Sequence, residues 1–175
     1  MQIFIYDADD DGNEVSLTGD SFKQLIEICF TYSSYFSLVV NREIEYKLEA
    51  FSAFLVEERL LLPNKVGSEK QENAVLCIRF YRANPKTMGL LLGVSDDFWK
   101  LVWYWGNRNP EDLTFYREDS SVFMRSIAHE GEAIFTLLPN EDVSRIFAII
   151  PSYRVDARDD WLLRAGIREE CEKRG

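Results

Sequence analysis

The chain has 175 residues, 46% of them hydrophobic, 29% charged and 14% aromatic, and carries a formal net charge of −10. A chain of this length builds one domain with a substantial core, and its balance of apolar and charged residues excludes a disordered polypeptide. Surplus acid repels phosphate, which argues against nucleic acid and anionic membranes as partners and favours a basic protein or a cation.

The acid is unevenly spread. Residues 1–20 hold Asp7, Asp9, Asp10, Asp11, Glu14 and Asp20 with neither Lys nor Arg, so −6 of the −10 lies there. Cys29, Cys77 and Cys171 are odd in number and lack a CxxC spacing. A disulfide framework is therefore not expected, and a reducing compartment is. No basic region opens the chain, which argues against a signal peptide, and no apolar stretch reaches membrane-spanning length. A cytoplasmic protein is expected.

In chain order, Ile3–Tyr6 reads as a short buried strand and Val15–Thr18 as a second one after an acidic turn. Phe22, Leu25, Ile26, Cys29 and Phe30 then recur at helical spacing on one face, with Ser21 and Gln24 placed for a capping box and Asp20 at the start. Ser37–Val40 suits a strand. A second helix is expected over about 43–61, with Ile44, Leu48, Phe51 and Leu55 as its stripe and Pro63 after its end.

Residues 63–73 form a polar loop, and Ala74–Tyr81 alternates as a strand that Asn84-Pro85 breaks. Ser95 and Asp96 offer caps for a short aromatic helix near 97–105. Leu113–Arg117, Val122–His129 and Glu132–Leu138 then read as strands of a meander. A helix is expected from Asn140 through Ile149, and a peripheral C-terminal helix over 155–175. The later strands are hairpin-linked and the helices are interspersed. The expected fold is a single α+β domain over 1–175, with helices packed on a mainly antiparallel sheet.

Asp7, Asp9, Asp11 and Gly12 match positions 1, 3, 5 and 6 of an EF-hand calcium loop. Position 12 requires a bidentate Glu to complete the coordination, and it is Thr18; position 8, usually apolar, is Glu14. Asp-Gly and Gly-Asn are also ordinary turn chemistry. The run Asp7, Asp9, Asp10, Asp11 and Glu14 is thus read as a solvated turn, as a contact for a basic partner, or as a calcium loop, in that order.

His129 is the only histidine. One imidazole without a Cys cluster supports no zinc site of the usual kind, though with Glu130 or Glu132 as orienter it has the makings of a general base. No GxSxG elbow is present, and Gly89–Gly93 has neither the Lys-Ser/Thr of a phosphate loop nor the GxGxxG spacing, so it reads as a tight apolar connector. No catalytic residue, metal or cofactor is assigned.

Phe98–Arg108 is the most aromatic segment. On a helix Phe98, Leu101, Val102 and Trp105 share one face, and Trp99 and Trp103 lie beside it and partly turn away. A core helix is the plain reading. Trp99, Trp103 and Tyr104, with Arg108 close by, are the candidates for a groove or partner face, because Trp, Tyr and Arg are the usual anchors of interfaces.

Pro110–Arg117 followed by Ser126–Ala133 resembles a pattern in small acidic bacterial proteins, among them immunity proteins, which neutralise a toxin by binding it. The resemblance implies a protein-binding module of immunity or antitoxin type that inhibits a basic toxin or enzyme. It carries no catalytic residue. The alternatives are a small-molecule binder or enzyme with a pocket lined by the tryptophans, His129 and Glu130, and a calcium-responsive domain. The oligomeric state is open.

Overall fold

A computed structural model describes residues 2–7, 17–41, 48–61, 76–102, 111–127, 130–142, 144–150 and 154–156. The strands are β1 (Gln2–Tyr6), β2 (Tyr35–Asn41), β3 (Leu55–Leu60), β4 (Leu76–Arg82), β5 (Glu111–Tyr116), β6 (Val122–Ile127), β7 (Glu132–Thr136) and β8 (Arg154–Asp156). The helices are α1 (Gly19–Tyr32), α2 (Pro85–Val94), α3 (Phe98–Val102) and α4 (Ser144–Ile149), with a 3-10 helix at Glu49–Phe54.

The strands form one sheet in the order β3-β4-β2-β5-β6-β7-β1-β8, and every pairing is antiparallel. The α+β arrangement expected from the sequence is the one observed. Hairpins account for β5, β6 and β7. β1 is the exception: α1 carries the chain from β1 across to β2, which leaves β5–β7 between them.

Registers line up across the whole sheet. Leu55, Tyr81, Phe36, Phe115, Met124, Phe135, Ile3 and Val155 stand opposite one another in turn, one from each strand. Opposed residues share a face, so this apolar row defines the side that the helices cover. Phe30 of α1 meets Phe36 and Phe115, with ring centroids 5.6 and 5.3 Å apart, and Phe51 of the 3-10 helix meets Tyr81 at 5.5 Å. α2 and α4 pack beside α1. On the opposite face runs a second complete row: Glu57, Phe80, Ser37, Thr114, Arg125, Ile134, Phe4 and Arg154. It is mixed in polarity.

α1 holds the expected stripe, with Phe22, Leu25, Ile26 and Cys29 all buried. It starts three residues earlier than expected, at Gly19, and Thr18 rather than Ser21 stands at its N-cap, without a side-chain capping bond. The helix expected over about 43–61 is not formed over its second half, where the 3-10 turn is followed by β3; residues 42–47 lie outside the described set. Leu48 and Phe51 are buried as anticipated, but the outer edge of β4 needs a partner for its backbone groups, and Leu55–Leu60 supplies it.

Asn84-Pro85 does end β4, and it also opens a helix that the sequence reading missed. The Asn84 side chain accepts from the Lys86 and Thr87 amides at 2.9 and 3.1 Å, the Thr87 hydroxyl accepts from the Asn84 amide at 3.0 Å, and Pro85 occupies the first turn where no N–H is needed. Gly89–Gly93 is therefore part of α2, not a connector. Arg154–Asp156 pairs with β1 as β8, so the strand takes the first positions assigned to a C-terminal helix; residues 157–175 lie outside the described set.

Candidate functional site

α1 and β2 are joined through only Ser33 and Ser34, and the Ser34 amide donates to the Tyr116 carbonyl at 2.9 Å. The C-terminus of α1 thus sits at the Tyr116 end of the sheet and its N-terminus at the Glu111 end. The latter end also receives the C-terminus of β1 and the β6–β7 turn, because Tyr6 and Ile127 both stand opposite Glu132.

This brings acidic residues distant in sequence to one end of the molecule. The Asp7 amide donates to the Gly131 carbonyl at 2.8 Å, and the Asp7 carboxylate lies over the Gly131 α-carbon. Glu130 is exposed in the same turn and Glu132 is half-buried at the start of β7. Asp112 is the extra residue where β5 slips register against β2, and it takes the left-handed conformation at φ 48° that Asp tolerates better than most residues. Asp20 is exposed in the first turn of α1, and the exposed Asp96 accepts the Gly19 amide through its carbonyl at 3.0 Å.

Asp97 has a structural task at this end. It is buried, its carboxylate accepts from the Trp99 and Lys100 amides at 2.9 and 3.2 Å, and Lys100 Nζ lies 3.2 Å from it. It therefore caps α3, one residue beyond Asp96 and two beyond Ser95, the caps the sequence suggested. Ser95 helps instead by accepting the Asp97 amide at 3.1 Å.

The turn at Gly131 brings Asp7, an expected partner-binding residue, together with Glu130, which the sequence offered for the alternative pocket. Trp99 is not on an open face: it is 8% exposed, belongs to the core cluster, and packs edge-on against Phe98 with centroids 4.9 Å apart. The core reading of that helix applies to Trp99, because α3 packs against β5 and turns Phe98, Trp99 and Leu101 inward. Asp9, Asp10, Asp11, Glu14, Trp103, Tyr104, Arg108 and His129 lie outside the described residues. Among the described residues no group of three His, Cys, Asp or Glu side chains is placed to hold a metal, and no helix is long and apolar enough to cross a membrane.

Asp20, Asp96, Asp112 and Glu132 were not singled out by the sequence as members of one surface. Only the strand order unites them, and no local pattern encodes it. Comparison of the chain with protein-family models, curated proteins and solved structures gives no match.

Proposed function

We propose that the protein is an acidic protein-binding module that takes a basic protein partner, most specifically an inhibitor of the immunity type acting on a basic toxin or enzyme. The observation that carries this reading is the junction of Asp7 with the Gly131 turn, which joins the start of the acidic run to Glu130 and Glu132. Acid gathered at one end of a molecule speeds encounter with a basic surface and fixes its approach. Exposed Asp20, Asp96 and Glu130 at that end, and the absence of any base from residues 1–20, support the same polarity.

The test is capture of partners from native lysate on the tagged chain at low and high salt, with recovered proteins identified by mass spectrometry. A basic protein recovered in stoichiometric amount at low salt and weakened at high salt is the expected result. Charge reversal of Asp20, Asp96 and Glu130 together must then lower its association rate while leaving the fold intact. Undiminished capture by that variant overturns the assignment of the acidic end.

A further inference from the structure

β3 is the outermost strand at one side of the sheet and has β4 as its only sheet neighbour among the described residues. The large apolar side chains exposed in the described structure concentrate there. Leu55, Val56, Leu60 and Leu61 lie on or directly after β3, with Val56 50% and Leu60 59% exposed, and Leu76 joins them from the start of β4. The Leu61 amide donates to the Leu76 carbonyl at 2.9 Å, which extends the ladder past the strand's end. An edge strand so rich in exposed leucine has backbone groups and side chains suited to pairing with another strand.

We propose that β3 pairs antiparallel with β3 of a second copy of this chain, giving a two-fold dimer whose sheet continues through both subunits. The argument for a second copy is charge complementarity. A two-fold axis perpendicular to the sheet passes midway between one residue of β3 and its own copy, and the choice of that residue sets every opposition. Centred on Glu57, the pairing opposes Glu57 to itself, and its flanking pairs set Val56 against Glu58 and Leu55 against Arg59, an apolar side chain against a charge each time. Centred on Arg59, it opposes two arginines. Centred on Glu58, it sets Glu57 against Arg59 twice, Val56 against Leu60 twice and Leu55 against Leu61 twice.

Only Glu58 then meets its own copy, and each Glu58 carboxylate is already held by Arg79 at 2.7 Å. Within one chain Glu57 and Arg59 form a two-pronged ion pair at 2.6 and 2.8 Å, so the two copies bring together four alternating charges. Edge strands that resist pairing carry like charges, above all lysine. This edge carries no lysine, and its charges match those of its own copy.

The experiment is sedimentation equilibrium of the full chain over a rising concentration series. The wild type is expected to move from monomer to dimer mass. Leu60→Lys is expected to stay monomeric throughout. Glu57→Arg and Arg59→Glu are each expected to weaken self-association about tenfold or more, because each opposes like charges twice. Their mixture restores the dimer, since positions 57 and 59 are then both cationic on one edge and both anionic on the other. Circular dichroism checks that every variant folds, which exposed positions permit. A wild type that stays monomeric, a Leu60→Lys chain that still dimerises, or a mixture no tighter than its components overturns the proposal. A monomeric wild type whose captured partner is lost on Leu60→Lys overturns it too, and assigns the edge to a foreign strand instead.

Discussion

The Asp7 carboxylate occupies the space that a side chain on Gly131 would require, and Gly131 itself holds φ +60°. Two separate penalties therefore await any substitution at this glycine. The left-handed backbone alone costs a non-glycine residue roughly 1–2 kcal/mol. Displacing Asp7 adds to it. Gly131→Ala is expected to lower the urea midpoint, and the same change in an Asp7→Ala background is expected to lower it less. Equal losses in both backgrounds would show that Asp7 is not pressed against the turn. The same pair holds Asp7 in the turn that carries Glu130, so Gly131→Ala is also expected to weaken any salt-sensitive partner.

Arg117 and Glu141 form a buried pair near the opposite end of the sheet, their side chains 10% and 6% exposed. Two prongs of the guanidinium reach the carboxylate at 2.7 Å each, and the remaining donors reach the Val122 and Thr136 carbonyls at 2.7 Å. The carboxylate in turn accepts the Leu138 amide at 2.7 Å. One ion pair thus ties the β5–β6 turn to the exit of β7. Glu141→Ala leaves a buried cation without its partner and is expected to cost about 3–5 kcal/mol in denaturant unfolding. Arg117→Lys is expected to be damaging as well, because an ammonium cannot span the four acceptors.

Trp99 separates core from interface in one experiment. Its ring is buried against Phe98 beneath β5, so Trp99→Ala is expected to cost about 3–5 kcal/mol of stability through the cavity it leaves. Trp99→Phe is expected to recover much of that loss. Neither change should alter the affinity of a captured partner at temperatures where the variant is folded. Unchanged stability with a large loss of affinity would return Trp99 to the surface.

The sequence was legible where a pattern is local. The Phe22, Leu25, Ile26, Cys29 stripe marks α1 because helix period and burial agree. The three strands of the meander follow from short loops between alternating runs. β4 shows the limit of such patterns: alternation is present, but the buried side carries Cys77 and Tyr81 while Leu76 is 37% exposed. Composition alone favours Leu76, Ile78 and Phe80 as the inner face. Register with Phe36 decides otherwise, since Tyr81 stands opposite it in the core row.

Leu55–Leu60 fails for a related reason. Its apolar spacing continues a helical stripe from Leu48, and only the vacant edge of β4, encoded about twenty residues later, converts it to strand. The acidic end is least legible of all, because Asp7 and Glu130 meet through the placement of β1 beside β7. Arg117 and Glu141 are likewise 24 residues apart, and no spacing rule joins them.

Burial pushes the Cys29 thiol up, well above its ordinary range, and Cys77 is also buried. The thiolate is the reactive form, so both positions are expected to resist alkylation in the native protein and to react at once after denaturation. Mass spectrometry of the peptides containing Cys29 and Cys77 reads this directly. Rapid native labelling of either would contradict its place in the core.

A pH dependence follows from Asp142, which lies just before α4. Its carboxylate accepts the Ser144 hydroxyl at 2.6 Å and the Ser144 amide at 3.0 Å, and these bonds, the hydroxyl's first, hold its carboxyl below the usual range. A depressed carboxyl contributes fully above its unfolded value of about 3.9 and loses that contribution as pH falls through the lower folded value. The Asp142 amide also donates to the Tyr32 hydroxyl at 3.1 Å, which anchors the turn to the end of α1. Hydrogen exchange in α4, corrected for intrinsic rates, is expected to hold constant from neutral pH down to the ordinary carboxyl range and to accelerate below it. Asp142→Asn keeps an acceptor that does not titrate, so its exchange in α4 should lose most of that pH dependence. Asp142→Ala should exchange faster at every pH. An α4 whose exchange in the Asn variant follows the wild type through the acid range would assign the effect to other carboxylates.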